Sequence, residues 1–172
     1  MMSMQPALNT SATVTADSPK GPVFPLYLEI EVGGKSKDEL IAEIKSGGCD
    51  VSSWAADIMF KPAWKPGEKQ MVKFARVKVR DLGFTKNPLI CDIFARIREL
   101  GHSLCEPSDG PAIRLALKEQ PVGDIFWTAM EQIADYEDNP FVFYVERYDD
   151  GKQWLDAYWV RLGCELVFRL CK

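Results

Sequence analysis

At 172 residues, 47% apolar and 27% charged, the chain is long enough to bury a core without metal or disulfide support. Its formal net charge of −4 and pI near 5.1 argue against a dedicated nucleic-acid binder, because long-range attraction to a polyanion would be weak. No stretch approaches the ~20 apolar residues that a bilayer-spanning helix needs, so no membrane segment is expected.

Residues 1–22 are polar, small and punctuated by proline. Such a segment cannot bury enough apolar area to offset its ordering entropy, and it reads as a disordered tail with neither the basic start nor the apolar run of a secretory signal. From Leu26, the residues Leu26, Leu28, Ile30 and Val32 alternate with Tyr27, Glu29 and Glu31, the period of a half-buried strand that Gly33-Gly34 ends. Ser36 and Glu39 have capping-box spacing and open a helix with Leu40, Ile41 and Ile44 inward and Gly47-Gly48 at its close. Residues 49–60 fit a short helix ambiguously, and Pro62 and Pro66 impose a loop through Trp64. Residues 69–82 read as one long strand, with Ala75, Val77 and Val79 on one face and Arg76, Lys78 and Arg80 on the other.

A second helix runs from about Pro88 to Leu100, with Leu89, Ile90, Ile93, Phe94, Ile97 and Leu100 as its apolar stripe, Cys91 among them, and Gly101 as cap. A third, shorter helix covers Ser108 or Asp109 to Lys118 and stops at Pro121. Strands follow over 124–130, 141–146, 154–160 and 164–170, and Asp149-Asp150-Gly151 supplies a hairpin turn. Closely spaced strands with short turns pair antiparallel more often than parallel. The expected architecture is therefore α+β. It has a single domain over 23–172 and a mostly antiparallel sheet with two to three helices packed on one face.

Two charge blocks stand out. Residues 61–80 carry seven basic side chains against Glu68 alone, with Phe60, Trp64 and Phe74 interleaved. Lys61, Trp64, Lys65, Lys73, Arg76, Lys78 and Arg80 are the candidate partner-binding residues, because cations beside aromatics hold phosphates and stack bases. The same pattern serves as a solvated strand face that blocks edge pairing. Residues 106–150 hold eleven carboxylates against Arg114, Lys118 and Arg147. Such separation suits a protein partner or head-to-tail self-association better than a polyanion.

The other constellations are weaker. Asp135 to Pro140 clusters oxygen atoms but lacks the glycine and distal glutamate of a calcium loop. His102 and Cys105, with Asp109, have the residue types of a thiolate–imidazole pair at a spacing that rarely gives its geometry. Phe126, Trp127, Phe141, Phe143, Tyr144, Trp154, Tyr158, Trp159 and Phe168 read as core and cross-strand pairs, or as the lining of a ligand cavity. Glu131, Glu146 and Asp156 lie near them as a glycosidase-like carboxylate set of little specificity. Five cysteines at irregular spacing point to reduced thiols in a cytoplasmic protein, and no motif calls for a cofactor or a metal.

From Gly101 onward the chain resembles a group of small uncharacterised bacterial proteins. Gly101 to Glu106, Gly110 to Leu115, Phe141 to Phe143, Trp154 to Trp159 and Val167 to Arg169 carry the likeness, over about the last 70 residues. The resemblance implies a bacterial or phage setting and a shared architecture, with no reaction and no functional residue attached. The expected function is that of a non-enzymatic module that binds another protein or itself. A small hydrolase or ligand-binding enzyme with an aromatic-lined pocket, and weak nucleic-acid binding through 61–80, are the alternatives.

Overall fold

The computed structural model describes residues 21–171. The tail expected over 1–22 lies outside the described residues except for Gly21 and Pro22. Strand β1 (Leu28–Val32) leads to helix α1 (Lys37–Ser46), where Ser36 Oγ accepts from Glu39 N at 3.2 Å and Glu39 accepts from Ser36 N at 2.7 Å. That reciprocal cap starts the helix where the S-x-x-E spacing places it, and Leu40 and Ile44 turn inward. A two-residue strand β2 (Asp50–Val51) and helix α2 (Ser53–Met59) resolve the ambiguous segment, with Ser52 capping α2.

Strand β3 (Gln70–Val77) is shorter than its sequence pattern suggests. The Asp81 carboxylate accepts from Lys78 N at 2.8 Å and folds Val79–Leu82 into a 3-10 turn, so the alternation ends at Val77. Val72 and Phe74 share the face of Arg76 and are buried, as are Ala75 and Val77 opposite. Both sides of β3 are therefore interior from Phe74 to Val77.

Helix α3 (Ile90–Glu99) turns Ile93, Phe94 and Ile97 inward. Leu89 is 70% exposed and Cys91 is exposed, so the stripe is narrower than the six positions expected and Cys91 is not core. Helix α4 (Asp109–Ala116) is buried on all sides along its first six residues. Strands β4 (Ile125–Thr128), β5 (Ile133–Ala134), β6 (Pro140–Arg147), β7 (Gln153–Tyr158) and β8 (Glu165–Leu170) complete the described chain.

The sheet order is β1-β3-β8-β4-β6-β7-β2, with β5 paired to β6. The α+β class holds, but the sheet is mixed rather than mostly antiparallel: β8 enters between β3 and β4 and runs parallel to β4, and β2 runs parallel to β7. Local hairpins such as β6–β7 are set by their turns, whereas the insertion of β8 is a long-range event that strand spacing does not encode. The described residues hold four α-helices rather than two to three. They are not confined to one face. Asp109 of α4 bonds Arg169, while the end of α3 leads into His102, whose ring lies 5.4 Å from Phe168 on the opposite side of β8.

A buried ion pair, a close helix–strand contact and a buried arginine lock α4 to the sheet. Arg169 Nε and Nη2 each donate to Asp109 at 2.7 Å, and Nη1 donates to Glu106 at 2.9 Å. Asp109 is fully buried, and burial pushes its carboxyl above the usual range despite Arg169. A Cβ at Gly110 would stand 2.7 Å from Phe143 Cβ, so glycine is what lets α4 lie this close to β6. Arg114 is fully buried and donates to Gln120 at 2.7 Å, Gln153 at 2.6 Å and Leu117 O at 2.5 Å.

Candidate functional site

Arg76 and Trp64, two of the predicted site residues, are largely interior. Arg76 lies over the Phe126 ring at 4.6 Å and donates to Asp124 at 2.5 and 2.9 Å and to Glu165. Burial opposes its charge, but the bonds to Asp124 and Tyr27 overcome that and raise its pKa. Trp64 is 7% exposed and donates its indole N–H to Pro107 O at 3.0 Å. The aromatic and the cation that best fitted base stacking and phosphate contact are thus interior side chains that carry structure.

The remaining five of the predicted site residues fall in three places. Lys61 and Lys65 border a hollow beside Phe60 and the start of α1, and Lys61 lies 3.5 Å from Asp57. Lys73 borders another hollow shared with Glu29 and Glu106. Lys78 and Arg80 line a third, in front of the 3-10 turn. The two charge blocks also touch in space, since Arg76 pairs with Asp124 at 2.5 Å. Separation along the sequence is therefore not separation on the surface.

The small constellations resolve as structure. Cys105 is buried, its thiol donates to Val167 O at 3.4 Å, and burial pushes its pKa well up. His102 accepts from Cys171 N at 3.3 Å and packs edge-on to Phe24 and tilted against Phe168, while Asp109 is held by Arg169. Asp135 accepts from Glu137 N and Asn139 N at 2.8 Å each, which turns its oxygens inward to the loop. Among the described residues no group of three or more His, Cys, Asp or Glu is arranged to hold a metal ion, and no helix is long and apolar enough to cross a membrane.

One sheet face differs from the rest. Cross-strand pairing puts Trp127, Tyr144, Glu146, Trp154, Asp156 and Tyr158 on the same side. The buried aromatics Phe126 and Phe143 occupy the other side. Asp156 is tied down: it accepts from Ser52 Oγ at 2.5 Å and Tyr144 O–H at 2.9 Å. Burial raises the Glu146 carboxyl, with Arg161 working against that shift and Asp156 adding to it. Trp54, Tyr158 and Trp159 form a ladder of rings 5.8 and 5.2 Å apart, in which Trp54 is 42% and Trp159 49% exposed. The Arg161 guanidinium lies 5.6 Å from the Tyr144 ring and 5.9 Å from the Tyr158 ring.

Beneath Trp159 and Arg161 a hollow lined by Trp127, Tyr144 and Cys164 encloses about 10 Å³, room for about one water. Cys164 also lines the cleft of about 300 Å³ that Lys78, Arg80 and Lys86 border with Thr85 and Asn87, so the ladder and the cationic cleft are neighbours. Among the described residues no carboxylate lines that cleft. Arg80 lies 3.8 Å from Asp81, a loose contact between exposed groups. Sequence reasoning singled out Lys78 and Arg80 and noted Tyr158 and Trp159 as aromatics. It missed Lys86 and Arg161, because the return of β8 to the sheet centre is what brings residues 159–164 beside residues 78–87.

Comparison with family models, with curated proteins and with solved structures finds no match, so the reading of this face rests on its geometry.

Proposed function

We propose that the chain is a non-enzymatic interaction module that engages its partner through the Trp54–Tyr158–Trp159 face. The observation that carries this reading is the pair of exposed tryptophans held in a ring ladder with Arg161 beside it. A large aromatic left in water forgoes about 1.5–3 kcal/mol of burial, and exposed Trp and Arg side by side are what binding hot spots are made of. The surface loses the interior side chains Trp64 and Arg76 from the sequence-based set and keeps Lys78 and Arg80.

A second reading, a small hydrolase, draws on Glu146 with its raised carboxyl on the same face as Asp156. Against it, Asp156 is committed to Ser52 and Tyr144, and the hollow beside them is about 10 Å³, too small for a substrate.

Intrinsic tryptophan fluorescence separates the two. Titration with an oligonucleotide, a polyglutamate peptide and an oligosaccharide should give a saturable change with one class, lost in Trp159→Ala, and no turnover of ester, phosphate or glycoside substrates. Turnover that disappears in Glu146→Gln, or no saturable change with any class, overturns the proposal.

A further inference from the structure

We infer that this face and the cleft beside it bind single-stranded nucleic acid, with a base stacked on Trp159 and the following phosphates in the cleft formed by Lys78, Arg80 and Lys86. The inference rests on the interaction-module reading and names its partner class.

Three observations converge. First, Trp159 offers an exposed ring backed by Tyr158 and Phe141, whose centroids lie 5.2 and 6.2 Å away, so the platform is held by packing before a ligand arrives. A base has a flat face of matching chemistry whatever its identity. Second, the cleft that shares Cys164 with the hollow beneath Trp159 is bordered by three exposed cations, hydroxyl and amide donors from Thr85 and Asn87 and, among the described residues, no carboxylate. That is the composition a phosphate selects, since every lining polar group can donate or attract. Third, the Arg161 guanidinium lies 5.6 Å from the Tyr144 ring and 5.9 Å from the Tyr158 ring and lines the hollow beneath Trp159, which puts a fourth cation beside the platform.

The surroundings set the direction of the strand. Beyond Trp54 the surface carries carboxylates: Asp57, on the same helix and 3.5 Å from Lys61, accepts from Tyr136 N at 3.0 Å, next to the exposed Glu137 and Asp138. Phosphates are repelled there and attracted at the Lys78 end, so a strand runs from Trp159 toward the cleft and covers only a few nucleotides. An acidic peptide would match the cations but would leave the Trp159 ring uncovered. A double helix offers no unstacked base to the ring. With four cations in reach and a chain of net charge −4, affinity is modest and strongly salt-dependent.

The test is fluorescence anisotropy of the full chain with a labelled 12-nucleotide oligo-dT, a duplex of the same length and a polyglutamate peptide. The single strand should bind saturably at low salt. With about four phosphates neutralised, affinity should fall about 50-fold between about 50 and 200 mM salt. Trp159→Ala should weaken binding about tenfold. The triple reversal Lys78→Glu, Arg80→Glu and Lys86→Glu should abolish it, while Lys45→Glu, at the end of α1, should change it less than twofold. All replaced side chains are exposed, and Lys86→Ala alone, expected to cost severalfold, guards against a fold defect in the triple variant.

No saturable single-strand binding overturns the inference. So does binding unaffected by Trp159→Ala, or equal binding of the duplex. Saturable polyglutamate binding that needs Trp159, without oligo-dT binding, overturns the inference and leaves the interaction-module reading standing. Turnover that needs Glu146 removes the module reading itself.

Discussion

Replacing Arg169 with methionine should destabilise the protein by about 3–5 kcal/mol, the usual cost of stripping one partner from a buried ion pair. Asp109 would lose both 2.7 Å bonds from the guanidinium and keep only its 2.8 Å bond from Glu106 N, in a site with no exposure. Glu106, 44% exposed, rehydrates at little cost, so nearly all the penalty falls on Asp109. With a urea slope of about 2 kcal/mol/M, the midpoint should drop by about 1.5–2.5 M. The effect should also depend on pH with a definite sign. Burial already raises the Asp109 carboxyl, and loss of Arg169 raises it further. A carboxyl with a raised folded pKa is favoured by protonation, so the variant's stability falls as pH rises through that pKa. The penalty should therefore be smaller near about pH 5 than near about pH 8. The double variant Asp109→Leu with Arg169→Met should recover part of the loss, because it buries no unpaired charge. A midpoint shift below about 0.5 M at both pH values, or a double variant whose loss equals the sum of the singles, would refute this account of the pair.

Three further outcomes are expected. Gly110→Ala places its Cβ 2.7 Å from Phe143 Cβ, so overpacking of about 1–3 kcal/mol should outweigh the helix-propensity gain of about 1 kcal/mol. A thermal melt should then fall by about 5 °C. Burial raises the Asp124 carboxyl, but the bonds from Arg76 and Gln120 outweigh it and leave the pKa lowered. Its contribution is therefore present above the unfolded value of about 3.9 and is lost as pH falls through the folded one, and Asp124→Asn should flatten the acid limb of the stability–pH curve. In a native thiol titration with an aromatic disulfide reagent, Cys91 and Cys171 should react first and Cys49 and Cys105 only on unfolding. Equal rates for all five would show that the burial pattern is wrong.

Local chemistry made much of the fold legible. The Ser36–Glu39 box, the inward triplet Ile93, Phe94 and Ile97, the Asp149-Asp150-Gly151 turn and the final strands each follow from short-range rules and appear where those rules put them. The failures share one cause. Arg76, Trp64, Arg169 and Arg114 are long or polar side chains that a periodicity reading assigns to solvent or leaves unassigned. Each is instead buried or nearly so, and each finds a hydrogen-bond partner distant in sequence: Asp124, Pro107 O, Asp109 and Gln153 respectively.

The amino-acid sequence by itself determined the α+β class, the approximate elements, and a chain that carries both a basic and an acidic block. Only tertiary structure decided that those blocks are joined by the Arg76–Asp124 pair. It also decided that β8 passes into the middle of a mixed sheet and brings Trp159 and Arg161 beside Lys78, Arg80 and Lys86. Hairpins and caps are written in neighbouring residues, whereas the strand order and the pairing of buried charges are settled by which distant surfaces pack together when the core closes.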